Sequence, residues 1–178
     1  YYPQLLLKHL RRGRIRRIRR GIYRFVHYPA GDHENLAVLW LWSDRVGVFS
    51  HETALALHEL SDVLPAAVHL TLPLHCATRR LRIPRGVILH HADLAEGVRG
   101  WLGSVRVTAA ARTLIDCAAS NVEPRLMRDA FEEAAVRGLV DRHSLPTVVA
   151  YLKRFFSVSR SRSGPRFRSS SGWIRRLT

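Results

Sequence analysis

The stretch that most restricts this chain is its start, YYPQLLLKHLRRGRIRRIRRGIYRFVHY, which holds nine basic residues (Lys8, Arg11, Arg12, Arg14, Arg16, Arg17, Arg19, Arg20 and Arg24) and no Asp or Glu. The charges are interleaved with apolar residues at regular spacing. Leu6, Leu7 and Leu10 recur with helical period, while Lys8, Arg11 and Arg12 fall on the other faces. Pro3 suits a first helical turn, where its missing N–H has no partner to lose, and Gly13 is placed to end the helix. Two β-branched and aromatic runs follow, Ile15–Ile18 and Ile22–Val26, divided by Arg19-Arg20-Gly21, a pattern that predicts a hairpin turning near Gly21. A basic helix followed by a basic hairpin is the back half of a winged helix-turn-helix, in which the helix enters the major groove and the wing lies along phosphates. A solvated face without a polyanionic partner normally mixes both signs of charge. A winged helix also needs two helices ahead of its recognition helix. The chain opens at or just before that helix, so a partial winged helix is expected over residues 1–28.

The rest of the charge falls in the same pattern. The formal net charge is +15, yet residues 29–150 hold twelve basic and fourteen acidic residues, and residues 151–178 hold eight basic and none acidic. A near-neutral body is therefore bracketed by two cationic ends, which favour nucleic acid as partner ahead of an anionic membrane. Hydrophobic content of 47 % is enough for a packed core. No apolar run approaches the ~20 residues that span a bilayer, and no secretory leader pattern is present. Cys76 and Cys117 lack any paired spacing, which fits free thiols as core fillers in a reducing compartment. The expected location is the cytoplasm.

Within the body, Asp32 is placed to cap a helix containing Leu36, Leu39, Trp40 and Trp42, with Glu34 in its first turn. Val46–Phe49 reads as a strand, and Ser50 as the cap of a helix over His51–Leu60. The period then changes to two, giving strands at Val68–Leu72, Val87–His91 and Val105–Val107, with a basic loop Thr78–Gly86 between the first two. Thr108 is expected to cap a helix through Ser120. Pro124 opens another that Gly138 closes, and Ser144 caps a last one over Leu145–Phe156. Helices and strands mix without strict alternation, so the expected class is α+β. Residues 157–178 are Ser/Arg-rich and low in complexity, and read as a flexible tail that adds phosphate contacts.

A search for catalytic chemistry gives little. His51 and His58 are seven residues apart on one predicted helix, ~10 Å along its axis, too far to share one zinc ion. His90 and His91 alternate across a strand and point to opposite faces. There is no Gly-rich phosphate loop and no nucleophile elbow. Asp44, Glu52, Asp93 and Asp116 are only loose candidates for a carboxylate cluster, and Asp116 is spaced for an intrahelical pair with Arg112. The expectation is a protein without enzymatic activity, metal or cofactor.

The order of motifs carries one further reading. RRGIYR (19–24), SHETALALHEL (50–60), VHLTLP (68–73), TAAARTLIDCA (108–118) and FEEAAVRGLV (131–140) together resemble the AbiEi-type antitoxins of bacterial type IV toxin–antitoxin systems, over residues 2 to about 146. That resemblance implies an N-terminal winged helix that binds inverted repeats in duplex DNA and represses its own operon. It also implies an α+β antitoxin domain, here 29–156, that counteracts a nucleotidyltransferase-like toxin without necessarily holding it in a stable complex. Carried over by position, Tyr2, Gln4, Lys8 and Arg11 are the helix residues nearest bases and phosphates, and Arg16, Arg17, Arg19, Arg20 and Arg24 form the wing. Arg12 and Arg14 complete the cationic surface. Ser50, His51, Leu57, His58 and Arg112–Asp116 match family motifs and read as framework. The alternative is a winged-helix transcriptional regulator whose second domain senses or binds something else.

Overall fold

The computed structural model describes residues 3–29, 31–62 and 64–156. Tyr2 and the Ser/Arg-rich tail lie outside the described residues. Among the described residues, six α-helices and two sheets make the architecture α+β. No helix among the described residues is long and apolar enough to cross a membrane.

The basic start folds as a helix and a hairpin. Helix α1 spans Pro3–Arg11, strand β1 Ile15–Arg19 and β2 Ile22–Phe25. The antiparallel register pairs Ile15 with Phe25 and Arg16 with Arg24, and shifts between Arg17 and Arg19. Helix α1 buries no residue, whereas Ile15 and Ile22 are buried under the hairpin. The hairpin is tied to α2 (Glu34–Trp42) by the Arg24–Glu34 ion pair at 2.8 Å. The cap expected at Asp32 does not form. His33 holds the N-cap position of α2 without a side-chain bond, so this helix depends on packing of Leu36, Leu39, Trp40 and Trp42 against the sheet.

The body is a five-stranded mixed sheet with order β5-β4-β3-β7-β6. Its strands are β3 (Val48–Phe49), β4 (Val68–Leu72), β5 (Val87–His91), β6 (Arg99–Leu102) and β7 (Val105–Thr108). Strand β3 pairs antiparallel with β4 and parallel with β7, while β4 and β5 run parallel with Thr71 opposite His90. Strand β6 was not expected from the sequence. Its Gly100 and its lack of apolar alternation hide it, and pairing with β7 makes it a strand.

Helix α3 (His51–Leu57) joins the two halves of the core. Its Ala54 and Leu57 pack into the sheet cluster with Phe49, Leu70 and Val107, and its Leu55 packs into the helical cluster. That second cluster gathers Leu114, Met127, Phe131 and Val148 from α4 (Ala110–Ala119), α5 (Pro124–Val136) and α6 (Pro146–Phe156). Helix α3 is three residues shorter than expected because Glu59 turns left-handed (φ 56°), with Leu60 N–H donating to Leu55 O and Glu59 N–H to Ala56 O. This paired closure satisfies the last carbonyls. Two further expected caps shift. Ala109, not Thr108, precedes α4, because the Thr108 side chain is drawn to Thr113. Helix α6 begins at Pro146, and Ser144 Oγ donates instead to Asp141 O at 2.7 Å.

Candidate nucleic-acid interface and histidine cluster

The described candidates for DNA contact sit on one contiguous stretch of helix and hairpin. Gln4, Lys8, Arg11 and Arg12 line a shallow groove along α1, as their spacing of about one and two turns requires. They are exposed, as are Arg14, Arg16, Arg17, Arg19 and Arg20. None of these basic groups pairs with a carboxylate among the described residues. Arg24 differs. Its guanidinium bonds Glu34 and donates to Tyr28 O at 3.1 Å, so it fastens the hairpin to the body. A cleft of about 610 Å³ separates α1, the hairpin and the end of α2, with Leu6, Ile15, Ile22, Phe25 and Leu41 in its wall.

The motif residues of the body form a framework. Arg112 Nε donates to Asp116 Oδ1 at 2.8 Å within α4. Burial raises the Asp116 carboxyl above its usual range, and the bond and charge of Arg112 oppose that rise. His58 Nε2 lies 2.7 Å from Thr108 O, which joins the end of α3 to the end of β7. Arg137 Nη1 donates to the carbonyls of His58 and Glu59 and so caps α3 from beyond α5. The SHETALALHEL and TAAARTLIDCA segments are thus packed together through α3 and α4. The four loose carboxylates have four separate partners: Arg79 for Asp44, His69 for Glu52, Leu74 N–H for Asp93 and Arg112 for Asp116.

Three histidines meet where α3 crosses β4 and β5. His51 opens α3, His69 lies on β4 and His90 on β5. Their rings stack, with centroids 3.7 Å apart for His51–His90, 5.2 Å for His69–His90 and 5.5 Å for His51–His69. One nitrogen of each ring lies within 4.8 Å of the other two. His69 Nδ1 and His90 Nε2 are 3.0 Å apart, so if both rings are neutral one donates and the other accepts. The outer sides are also held. Ser50 Oγ lies 2.9 Å from His51 Nδ1 and 2.7 Å from Thr71 Oγ1, and Glu52 Oε2 is 3.5 Å from His69 Nε2. Ser50 holds the N-cap position of α3, but its hydroxyl serves His51 and Thr71 rather than the helix.

Burial disfavours charge on all three rings. It lowers His51 to about 3, helped by the nearby charges of His90, His69 and Arg112. It lowers His69 against the opposing pull of Glu52, and lowers His90 together with His69 and His91. His51 is also left-handed (φ 53°), a conformation that costs a non-glycine residue roughly 1 kcal/mol.

Spacing within one helix or one strand excludes His51–His58 and His90–His91 as metal pairs. It misses the cluster because its members come from three elements. The available signal was period two on neighbouring strands. His69 and Thr71 share a face of β4, and Thr71 pairs with His90.

No family model matches this chain, and no curated protein matches it.

Proposed function

We propose that this chain is a DNA-binding antitoxin and autorepressor. Helix α1 reads duplex DNA, the β1–β2 hairpin acts as a wing on phosphates, and the α+β body counteracts a nucleotidyltransferase-like toxin. The observation that carries the proposal is the run of exposed basic groups from Lys8 to Arg20 without a carboxylate partner among the described residues, on a helix followed directly by a hairpin. Such a surface binds a polyanion with a gain in entropy, because its Lys and Arg displace the counterions condensed on the phosphates. The antitoxin part rests on the order of the RRGIYR, SHETALALHEL and TAAARTLIDCA motifs and on the packing of the last two together.

The test is fluorescence anisotropy with duplex from the protein's own upstream region, against scrambled duplex, over a salt series. A preference for the upstream duplex that persists at ~0.15 M salt supports specific reading, and equal binding that collapses with salt overturns it. Replacing Arg16, Arg17, Arg19 and Arg20 with Ala lowers affinity at least tenfold at moderate salt while the body stays folded. Each lost phosphate contact reduces the salt slope by ~0.9. Unchanged affinity overturns the wing assignment. For the antitoxin part, a nucleotidyltransferase-like gene is expected immediately downstream, and co-expression of this chain should restore growth arrested by it. Growth arrest despite a folded protein leaves a transcriptional regulator of another kind.

A further inference from the structure

We propose that His51, His69 and His90 bind one divalent transition-metal ion of the zinc class, with the fourth coordination position left to water or an exogenous ligand. Three features carry this.

The first is the convergence itself. Imidazole nitrogens that share a tetrahedral ion at ~2.0–2.1 Å stand roughly 3.3 Å from one another. His69 Nδ1 and His90 Nε2 are already 3.0 Å apart, and the third ring contributes a nitrogen within 4.8 Å of both. The second is the outer contacts. A metal-bound histidine usually offers its other nitrogen to a carboxylate or hydroxyl, which fixes its tautomer. Glu52 stands beside His69 Nε2, and Ser50, held by Thr71, stands beside His51 Nδ1. The third is how the cluster is made. His51 is held left-handed and buried, and Ser50 gives its hydroxyl to the cluster instead of to the helix end. Strain of this kind persists only where the surroundings impose it.

The donor set names the ion. Three neutral imidazoles without thiolate or nearby oxygen cage suit zinc, copper, nickel or cobalt, and do not suit magnesium or calcium. Besides Glu52, the charged groups that face the cluster are Arg112 and His91. Arg112 is engaged by Asp116, and His91 lies on the strand position after His90. The rings lie near-parallel rather than converging on one point, so binding requires ring rotation. Neither His69 nor His90 is fully buried, and that rotation exchanges their mutual contact for bonds to the ion, with buried His51 as the fixed member. Three protein nitrogens and an open position are the arrangement found in zinc sites that act on water or a ligand rather than purely structural ones.

The site is built from α3, β4 and β5 and includes no residue of α1 or the hairpin, so its test uses no DNA. The full chain, stripped with a chelator, is titrated with Co²⁺ and followed by visible absorption, then competed with Zn²⁺. One equivalent should give the intense bands of four-coordinate cobalt, and Zn²⁺ should abolish them. His69→Gln and His90→Gln should each weaken binding at least tenfold, while His91→Gln and His75→Gln, at exposed positions, should not change it. No saturable single equivalent, or equal binding by the His69 and His90 variants, overturns the proposal. Because a cluster variant can lose structure, metal-edge X-ray absorption on the zinc-loaded wild-type chain gives a second reading. Three imidazole scatterers support the site, and fewer overturn it.

Discussion

Thr113 is a fully buried polar residue with every bond satisfied. Its hydroxyl faces the carbonyls of Thr108 and Ala109 at 3.1 and 3.0 Å, and lies 2.7 Å from Thr108 Oγ1. Thr113→Val keeps the shape and leaves Thr108 in a dry site with a partner missing. The expected loss is about 1–2 kcal/mol of stability, read from the urea midpoint. Cys117 is fully buried and Cys76 nearly so, both as free thiols. Burial, chiefly, pushes the Cys117 thiol well above its ordinary value. Neither should react with a thiol reagent in the native chain, and both should react on unfolding; fast native labelling would contradict the packing. At this scale the sequence was readable where one residue does one job, as with Pro3 in the first turn of α1. It was unreadable where a hydroxyl could choose between local and distant partners. Ser50, Thr108 and Ser144 all looked like caps, and each gives its oxygen elsewhere.

Helix ends show one device repeated. Helices α1 to α5 each close with a left-handed residue and the paired back-bonds described for α3. Glycine fills that place after α1 and α5, while Asp44, Glu59 and Asn121 fill it after α2, α3 and α4. Glycine takes this conformation at no steric cost, whereas other residues lose roughly 1 kcal/mol. Glu59→Gly should therefore raise the thermal midpoint, by an amount worth up to ~1 kcal/mol, since the Glu59 side chain is exposed and Arg137 binds only its carbonyl. A lowered midpoint would show that the side chain matters more than the strain. Strands β4 and β5 were legible to the residue because β4 alternates, β5 opens on a β-branched apolar run, and Pro, Gly and Ala mark their boundaries. Strand β6 was not, since four residues with a glycine acquire strand character only from the neighbour they pair with. The histidine cluster was hidden for a related reason. Register between β4 and β5 places His90 opposite Thr71, and register across a long crossover is not written in either strand alone.

Across the whole molecule, charge and burial separate. The basic helix and hairpin bury only Ile15 and Ile22, whereas Phe49, Leu55, Leu70, Leu114 and Met127 are sealed inside the body. Amide hydrogen exchange should therefore be fast over residues 3–29 and slowest in β3, β4 and β7, with added duplex DNA slowing the first region only. Protection over 3–29 equal to that of β3 would contradict this division. The basic start was plain in the sequence because charge and turn signals are local. The histidine cluster of the body stayed hidden because its members come together only by folding.

The central strand carries one more consequence. Phe49 of β3 pairs with Val107 of β7, and its carbonyl meets Thr108, 59 residues further along the chain. Contacts so distant in sequence close slowly, since the intervening chain must first give up its freedom. During synthesis the sheet cannot be completed until Thr108 has left the ribosome, whereas the hairpin needs only residues 15–25. The nascent chain therefore presents its cationic hairpin before it has a finished body, and for that interval an open β3 edge is the part most in need of protection.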